Sequence, residues 1–282
     1  MQFSKMYSWI LIFLLFLEGC TQNNSSKREV IVFENDGIFL EGELSIPGGR
    51  PSYPLAIFIH GSGRATRNDY SEFISALDSA GIAAFRYDKR GVGASGGEYS
   101  DVGPYNSDQV FSLLAADAAA AIKRLKNDKR ISNDKIVVIG GSQAGWIIPE
   151  LNSILEPWLS VCISGPTVTV GEEIFYSDLI EKDGYSQSDA DIMVKKFTGP
   201  HGYNPINRIK KMKSPSLWIF GGRDVSIPVK KSIHILDSLK TSSVLPVEVK
   251  IYPDSDHGLI NRSTNIREPF VRLTIDWIKE KL

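Results

Sequence analysis

One stretch of this 282-residue chain carries much of its chemistry: Lys135-Ile136-Val137-Val138-Ile139-Gly140-Gly141-Ser142-Gln143-Ala144-Gly145-Trp146. An apolar run with strand character leads into a serine and then straight into a helical pattern. Gly140 and Ala144, two residues to either side of Ser142, are small enough to let strand and helix pass closely. That context suits a nucleophile elbow, a strained turn that presents a serine hydroxyl at the edge of a sheet. Alanine stands in place of the second glycine of the strict G-x-S-x-G pattern, a minor departure because Gly145 follows at once. A competing use of such a turn is a phosphate cradle at a helix N-terminus. Gly140 and Gly145 have P-loop spacing, but Trp146 and Ile147 occupy the positions where that motif needs lysine and a hydroxyl residue.

A serine hydroxyl is a poor nucleophile at neutral pH, so this reading obliges the chain to supply a base and a group that orients it. There are four histidines. His234 falls in a helical pattern, His201 in a long segment without strands, and His60 at the end of the apolar run Ile57-Phe58-Ile59. His257, in the polar loop Asp254-Ser255-Asp256-His257-Gly258 after the last strand-like run, is the best-placed base. Asp224, just past Trp218-Ile219-Phe220, is the preferred acid. Asp254 and Asp256 are its rivals, but their ordinary role is turn formation, and side chains so near in sequence rarely face each other well enough to orient a ring.

These residues need elements to hold them. Residues 29–34 and 39–46 alternate in polarity around Asn35-Asp36-Gly37, the signature of an antiparallel hairpin. Six further runs, 55–59, 82–87, 135–139, 158–163, 217–220 and 247–251, are short, apolar and mostly without alternation, as in strands buried on both faces of a parallel sheet. Helical patterns at 69–80, 108–125, 143–155, 228–239 and 268–281 separate them. The expected class is therefore α/β, a mostly parallel eight-stranded sheet flanked by helices in one domain over 29–282. Phe270, Leu273, Trp277 and Ile278 recur at the spacing of a core-facing helical stripe. Residues 165–213 lack a strand pattern, and a segment of that length between consecutive strands predicts a partly helical cap over a functional edge.

The order Ser142, Asp224, His257, each after a successive strand, closely resembles the α/β-hydrolase superfamily. So do His60-Gly61-Ser62-Gly63 and Asp88-Lys89-Arg90-Gly91-Val92-Gly93-Ala94-Ser95, and the likeness extends over roughly 37–282. The resemblance implies an oxyanion hole built from the backbone N–H groups of Ser62 and Gln143, with His60 structural and Asp88 and Arg90 fixing their loop. It also implies acyl transfer to water, carboxylic esters of modest size being the first choice, as in bacterial esterases with a small cap. A thioesterase or a prolyl-type peptidase could use the same three residues. A non-catalytic, lipid-anchored binding protein would predict a broken triad. Trp146, Tyr176, Tyr185 and His201 are the candidate substrate contacts, although aromatic residues in an insertion also serve to pack it.

Gly91-Val92-Gly93-Ala94-Ser95-Gly96 matches G-x-G-x-x-G, yet the following residues to Pro104 are polar and rich in breakers instead of opening a helix. No dinucleotide, and no other cofactor, is expected. No His/Cys/Glu group has metal-ligand spacing. The net charge of −1 gives no broad electrostatic reason to hold nucleic acid, so the expected partner is a small acyl ester. Of the two cysteines, Cys162 lies in an apolar run. Cys20 closes Leu17-Glu18-Gly19-Cys20, which follows Lys5 and nine apolar residues from Trp9 to Leu17, too few to span a bilayer. Residues 1–19 therefore read as a secretory signal. Their end resembles a bacterial lipobox, with Glu18 as its departure, which implies lipidation of Cys20, a tether over 20–28 and membrane contact only through that anchor.

Overall fold

The computed structural model describes residues 26–242 and 246–282. The expected signal segment, Cys20 and most of the tether lie outside those residues. The hairpin forms as the alternation predicts, β1 (Lys27–Asn35) pairing antiparallel with β2 (Ile38–Ile46) across the turn at Asp36 and Gly37. Lys27 and Arg28 thus belong to β1, which shortens the expected tether: pairing with Ile46 and Ser45 gives their backbone groups ladder partners.

The remaining strands are β3 (Tyr53–Ile59), β4 (Ala83–Tyr87), β5 (Ile131–Gly141), β6 (Leu159–Ile163), β7 (Ser216–Gly221) and β8 (Val247–Tyr252). They complete one eight-stranded sheet in the order β1-β2-β4-β3-β5-β6-β7-β8, parallel from β4 to β8. Their side chains sort to two cores by the two-residue strand period. In β3, Leu55, Ile57 and Ile59 join the core under α2 (Ser107–Leu125) and α3 (Ala144–Ile154), while Ala56 and Phe58 join the core under α1 (Ser71–Ser79) and α8 (Phe270–Lys281). Trp277 and Ile278 anchor α8 there. β8 departs from the buried-strand expectation. It is an edge strand, and Val-Glu-Val-Lys-Ile-Tyr alternates along it with one buried position.

Residues 165–213 contain no strand and fold as α4 (Val170–Glu181), α5 (Gln187–Met193), a 3₁₀ turn at Val194–Lys196 and the single turn α6 (Ile206–Ile209). Thr169 starts α4 through a capping box with Glu172, satisfying two backbone donors that a helix start leaves open. Tyr176, Leu179, Ala190 and Val194 make a small core of their own. The helix α7 (Val229–Ser242) then leads toward β8. No helix among the described residues is long and apolar enough to cross a membrane.

Candidate active site

Five loops leave the C-terminal ends of parallel strands side by side, the edge at which open α/β sheets gather ligands. Gly61 and Ser62 follow β3, Ser142 follows β5, Ser164 follows β6, Asp224 follows β7 and His257 follows β8. Gly61, Ser62, Ser142, Ser164 and His257 line one open pocket of about 330 Å³, which Tyr70, Ile163, Arg267 and Phe270 help to complete.

Ser142 has φ = 53°, the left-handed region that side chains other than glycine adopt at a cost. The surroundings hold it there. Its N–H donates to the Ile163 carbonyl at 2.9 Å, and its own carbonyl accepts from Gly145 N–H at 2.8 Å as α3 begins. The small neighbours are a steric requirement. A Cβ on Gly140 would sit 2.5 Å from Ala144 Cβ and 2.6 Å from the Ile59 carbonyl oxygen, and one on Gly145 would sit 2.7 Å from the Gly165 backbone. Ala144 is fully buried, so its methyl fills the space that the glycine of the strict motif would leave.

Asp224 is completely buried, and its carboxylate is fully engaged. Oδ1 accepts the N–H groups of Ser226 at 2.8 Å and Ile227 at 3.2 Å, and Oδ2 lies 2.7 Å from His257 Nδ1. The carboxylate is acceptor-only, so Nδ1 carries the proton and Nε2 of the neutral ring is left as the acceptor. Burial would lower the pKa of His257. The hydrogen bond to Asp224, and the charges of Asp224, Glu173 and Asp256, outweigh it and raise the pKa above the ordinary value. Ser164, with φ = 48°, donates its hydroxyl to the His257 carbonyl at 2.8 Å and holds the histidine loop in place. The rival acids do other work: Asp256 accepts the N–H groups of Gly258 and Ile260, and Asp254 pairs with Arg223 on the surface.

Ser62 reaches the pocket, and Gln143 is buried at the start of α3 beside Ser142. His60 is buried and lies against the Tyr87 carbonyl. Burial pushes its pKa down to about 4, so it is a neutral structural residue. Asp88 accepts from Arg67 and from Ala94 N–H, and Arg90 grips buried Asp117 with Nε 2.9 Å from Oδ2. The glycine-rich stretch 91–96 is a chain of turns fixed by these bonds and opens no helix.

None of the four expected substrate contacts lines the open pocket at Ser142, and each has a packing or surface explanation. Trp146 is buried, stacks on Phe111 with centroids 5.3 Å apart and donates Nε1 to the Val168 carbonyl. Tyr176 is enclosed in the small core of α4 and α5. Tyr185 is exposed. His201 meets Thr169 Oγ1 through Nδ1 and the Phe197 ring edge-on.

The sequence pattern passed over Tyr70, with φ = 60° at the start of α1. Its hydroxyl accepts Gly141 N–H at 2.8 Å and donates to the Ile59 carbonyl at 3.2 Å, tying the ends of β5 and β3 together. Glu173 on α4 was missed as well. Burial raises its carboxyl to about 8, and it interacts electrostatically with His257. Neither residue carries a local motif that could have announced it. Among the described residues, no group of three or more His, Cys, Asp or Glu side chains converges as metal ligands.

Across residues 68–282 the sequence matches the prolyl oligopeptidase family. The chain belongs to that family. Two relatives frame this prolyl oligopeptidase family member. An acylamino-acid-releasing enzyme of Arabidopsis thaliana is 22% identical over 253 residues, covering 85% of this chain and 32% of its own length. Esterase EstD of Thermotoga maritima is 27% identical over 256 residues, covering 79% of this chain and 58% of its own. The chain thus spans about a third to somewhat over half the length of these relatives. In structure it is similar to the Pyrococcus furiosus esterase Pf2001, with a TM-score of 0.68 at 19% identity, covering 90% of this chain and 91% of that one. It is also similar to the Pyrococcus horikoshii acylaminoacyl peptidase, with a TM-score of 0.67 at 16% identity, covering 92% and 42%. The eight-stranded, mostly parallel sheet with flanking helices is the α/β-hydrolase fold, and the family is one of hydrolases.

Proposed function

We propose that the chain is a serine hydrolase that cleaves carboxylic esters of modest size through an acyl-enzyme. The observation that carries this reading is a serine in a left-handed strand-to-helix turn sharing a pocket with a histidine whose Nδ1 is held by a buried carboxylate. His257 Nε2 takes the Ser142 proton as Oγ attacks the ester carbonyl. Asp224 keeps the ring in the required tautomer and stabilises the imidazolium that forms. The N–H groups of Ser62 and Gln143 receive the charge that develops on the carbonyl oxygen, donors of this kind being worth roughly 3 to 4 kcal/mol each in the transition state. The imidazolium then protonates the departing alcohol, and water repeats the sequence to release the acid.

The shape and lining of the pocket support a short acyl group: it is an open pocket with Tyr70, Ile163 and Phe270 as apolar walls. The likeness to acylamino-acid-releasing enzymes, which match 79% or more of this chain in two plants and one mammal, favours a second reading as a peptidase on blocked N-terminal residues. A comparison of kcat/KM on p-nitrophenyl butyrate, an acyl thioester and an N-acetylated peptide decides between them. The ester reading expects the first to lead by at least about tenfold, and a lead for the peptide replaces it with the second.

The proposal extends to place. The N-terminal segment exports the chain, and a lipid on Cys20 holds the enzyme at the membrane surface. Labelled palmitate should enter the wild-type protein and be absent from a Cys20→Ser variant, and equal labelling of the two would exclude the anchor.

A further inference from the structure

Lys89 is a buried cation in a place where nothing in the mechanism above requires one. It follows β4 in the Asp88-Lys89-Arg90 loop and is 3% exposed. Its Nζ donates to the Gly61 carbonyl at 2.9 Å, to the Gly63 carbonyl at 3.3 Å and to Gln143 Oε1 at 2.9 Å. These three acceptors use the three protons of an ammonium. They also come from the two segments that frame Ser142, the loop after β3 and the residue that caps the elbow helix α3.

We propose that Lys89 is a positioning residue for the oxyanion site, aiming the Ser62 N–H into the pocket and fastening the 61–63 loop to Gln143. The inference rests on the serine hydrolase reading above. Its physical core is the trans peptide plane. In the Gly61–Ser62 unit the C=O and N–H point in opposite directions, so a cation that holds the Gly61 oxygen on one side fixes the amide on the other. Gly61 has no side chain to resist rotation of its peptide, and a loop without that anchor would sample orientations in which the amide misses the substrate oxygen. The Gln143 side chain, held by the same nitrogen, restrains the residue that supplies the second donor. A lysine suits the task because its ammonium is a compact point on which three acceptors can converge, whereas the flat fork of arginine spreads its donors over a plane.

The clamp also has a pH limit. Burial lowers the pKa of Lys89 to about 8, against a weaker opposing pull from Asp101. The other groups facing the ammonium do not change charge near that pH. His60, at the end of β3, is neutral with its pKa near 4, and Tyr99, whose ring lies 5.7 Å from Nζ, has its pKa raised above the ordinary value of 10.0. Arg64 lies 5.0 Å from the Tyr99 ring, and Asp88 is held below the ordinary carboxylate range within its ion pair with Arg67. A neutral Lys89 amine has two N–H groups for three acceptors, so one of the tethers is lost.

The experiment is the kcat and KM of wild type, Lys89→Met and Lys89→Arg on p-nitrophenyl butyrate between pH 6 and 10, with circular dichroism to check folding. The clamp predicts a wild-type alkaline fall in kcat with a midpoint near 8. It predicts a Lys89→Met kcat at pH 7 lower by about 10- to 1,000-fold, the range spanned by losing part or all of one oxyanion donor, with KM changed less than about threefold. In the same variant the alkaline limb disappears while the acid limb set by His257 stays where it was. Lys89→Arg, which keeps the charge and loses the convergence, should remain impaired. A folded Lys89→Met with wild-type kcat, or with the alkaline limb retained, overturns the inference and leaves the hydrolase reading standing. Should Lys89→Met fail to fold, the profiles of the wild type and of Glu173→Gln decide, since Glu173 also titrates near 8 beside His257: an alkaline fall near 8 in both supports the clamp, and a kcat flat to pH 10, or a fall that is lost in Glu173→Gln, overturns it. A wild type inactive on ester, thioester and peptide alike removes the hydrolase reading and the clamp with it.

Discussion

Ser142, Asp224 and His257 make different demands on pH and on substitution. On the proposed mechanism His257 must be neutral to accept a proton, so kcat/KM should fall as pH drops. Because its pKa is raised, the midpoint should lie above the ordinary histidine value of 6.5 in a pH–rate profile. Asp224→Asn keeps the shape but lets the ring take the wrong tautomer, and kcat should fall by roughly 10⁴-fold in steady-state kinetics. His60 bears on stability. Its folded-state pKa of about 4 is depressed relative to the unfolded chain, so its contribution is complete above about 6.5 and is lost as pH falls toward 4. Urea midpoints should decline over that interval and decline less steeply in His60→Gln. The sequence pointed to Ser142, Asp224 and His257 because each sits just past an apolar strand in a short polar or glycine-rich stretch, and the structure places all three past the C-terminal ends of neighbouring strands. Tyr70, Ser164, Glu173 and Lys89 were not legible there, since their roles come from segments that meet only in three dimensions. The packing of the aromatic residues was hidden for a related reason: Trp146 follows the elbow closely in sequence, but on α3 it stacks on Phe111 and does not line the pocket.

Elements explain why the nucleophile turn is rigid. The start of α3 touches the Gly165 backbone, so Gly145→Ala forces a contact that neither backbone can relieve by rotating a side chain. That substitution should cost about 1 to 3 kcal/mol in urea unfolding and reduce kcat by shifting Ser142. Arg90 and Asp117 join the loop after β4 to α2 through a buried ion pair, to which Asn35 of β1 donates as well. Asp117→Ala strands the guanidinium without its partner and should destabilise by about 3 to 5 kcal/mol in the same measurement. Element type was legible wherever the strand period or a long helical stripe was present. β8 was legible as a strand but not grouped correctly with the buried ones, since its Glu248 and Lys250 alternation is the mark of an edge.

The whole molecule is organised around a sheet that serves both cores, with residues 165–213 attached as a smaller helical unit. The two main cores share every central strand and should unfold together, whereas the four-residue cluster of Tyr176, Leu179, Ala190 and Val194 stabilises α4 and α5 far less. Amide exchange should accordingly be fast in 176–196 and slow in β3, β5 and β6, and equal protection would show the two parts to be one cooperative unit. The sequence marked the segment by its lack of a strand pattern, but the way it packs is set by tertiary contacts such as Gln187 donating to the Gly222 and Asp224 carbonyls. The central claim, that this sheet edge presents an activated serine, is met most directly by a fluorophosphonate. The folded wild-type chain and a His257→Ala variant are treated alike, and the modified peptide is located by mass spectrometry. The account predicts an adduct on Ser142 in the wild type that is absent from His257→Ala. A well-folded wild type with Ser142 unmodified, or an adduct on Ser142 that persists without His257, would contradict it.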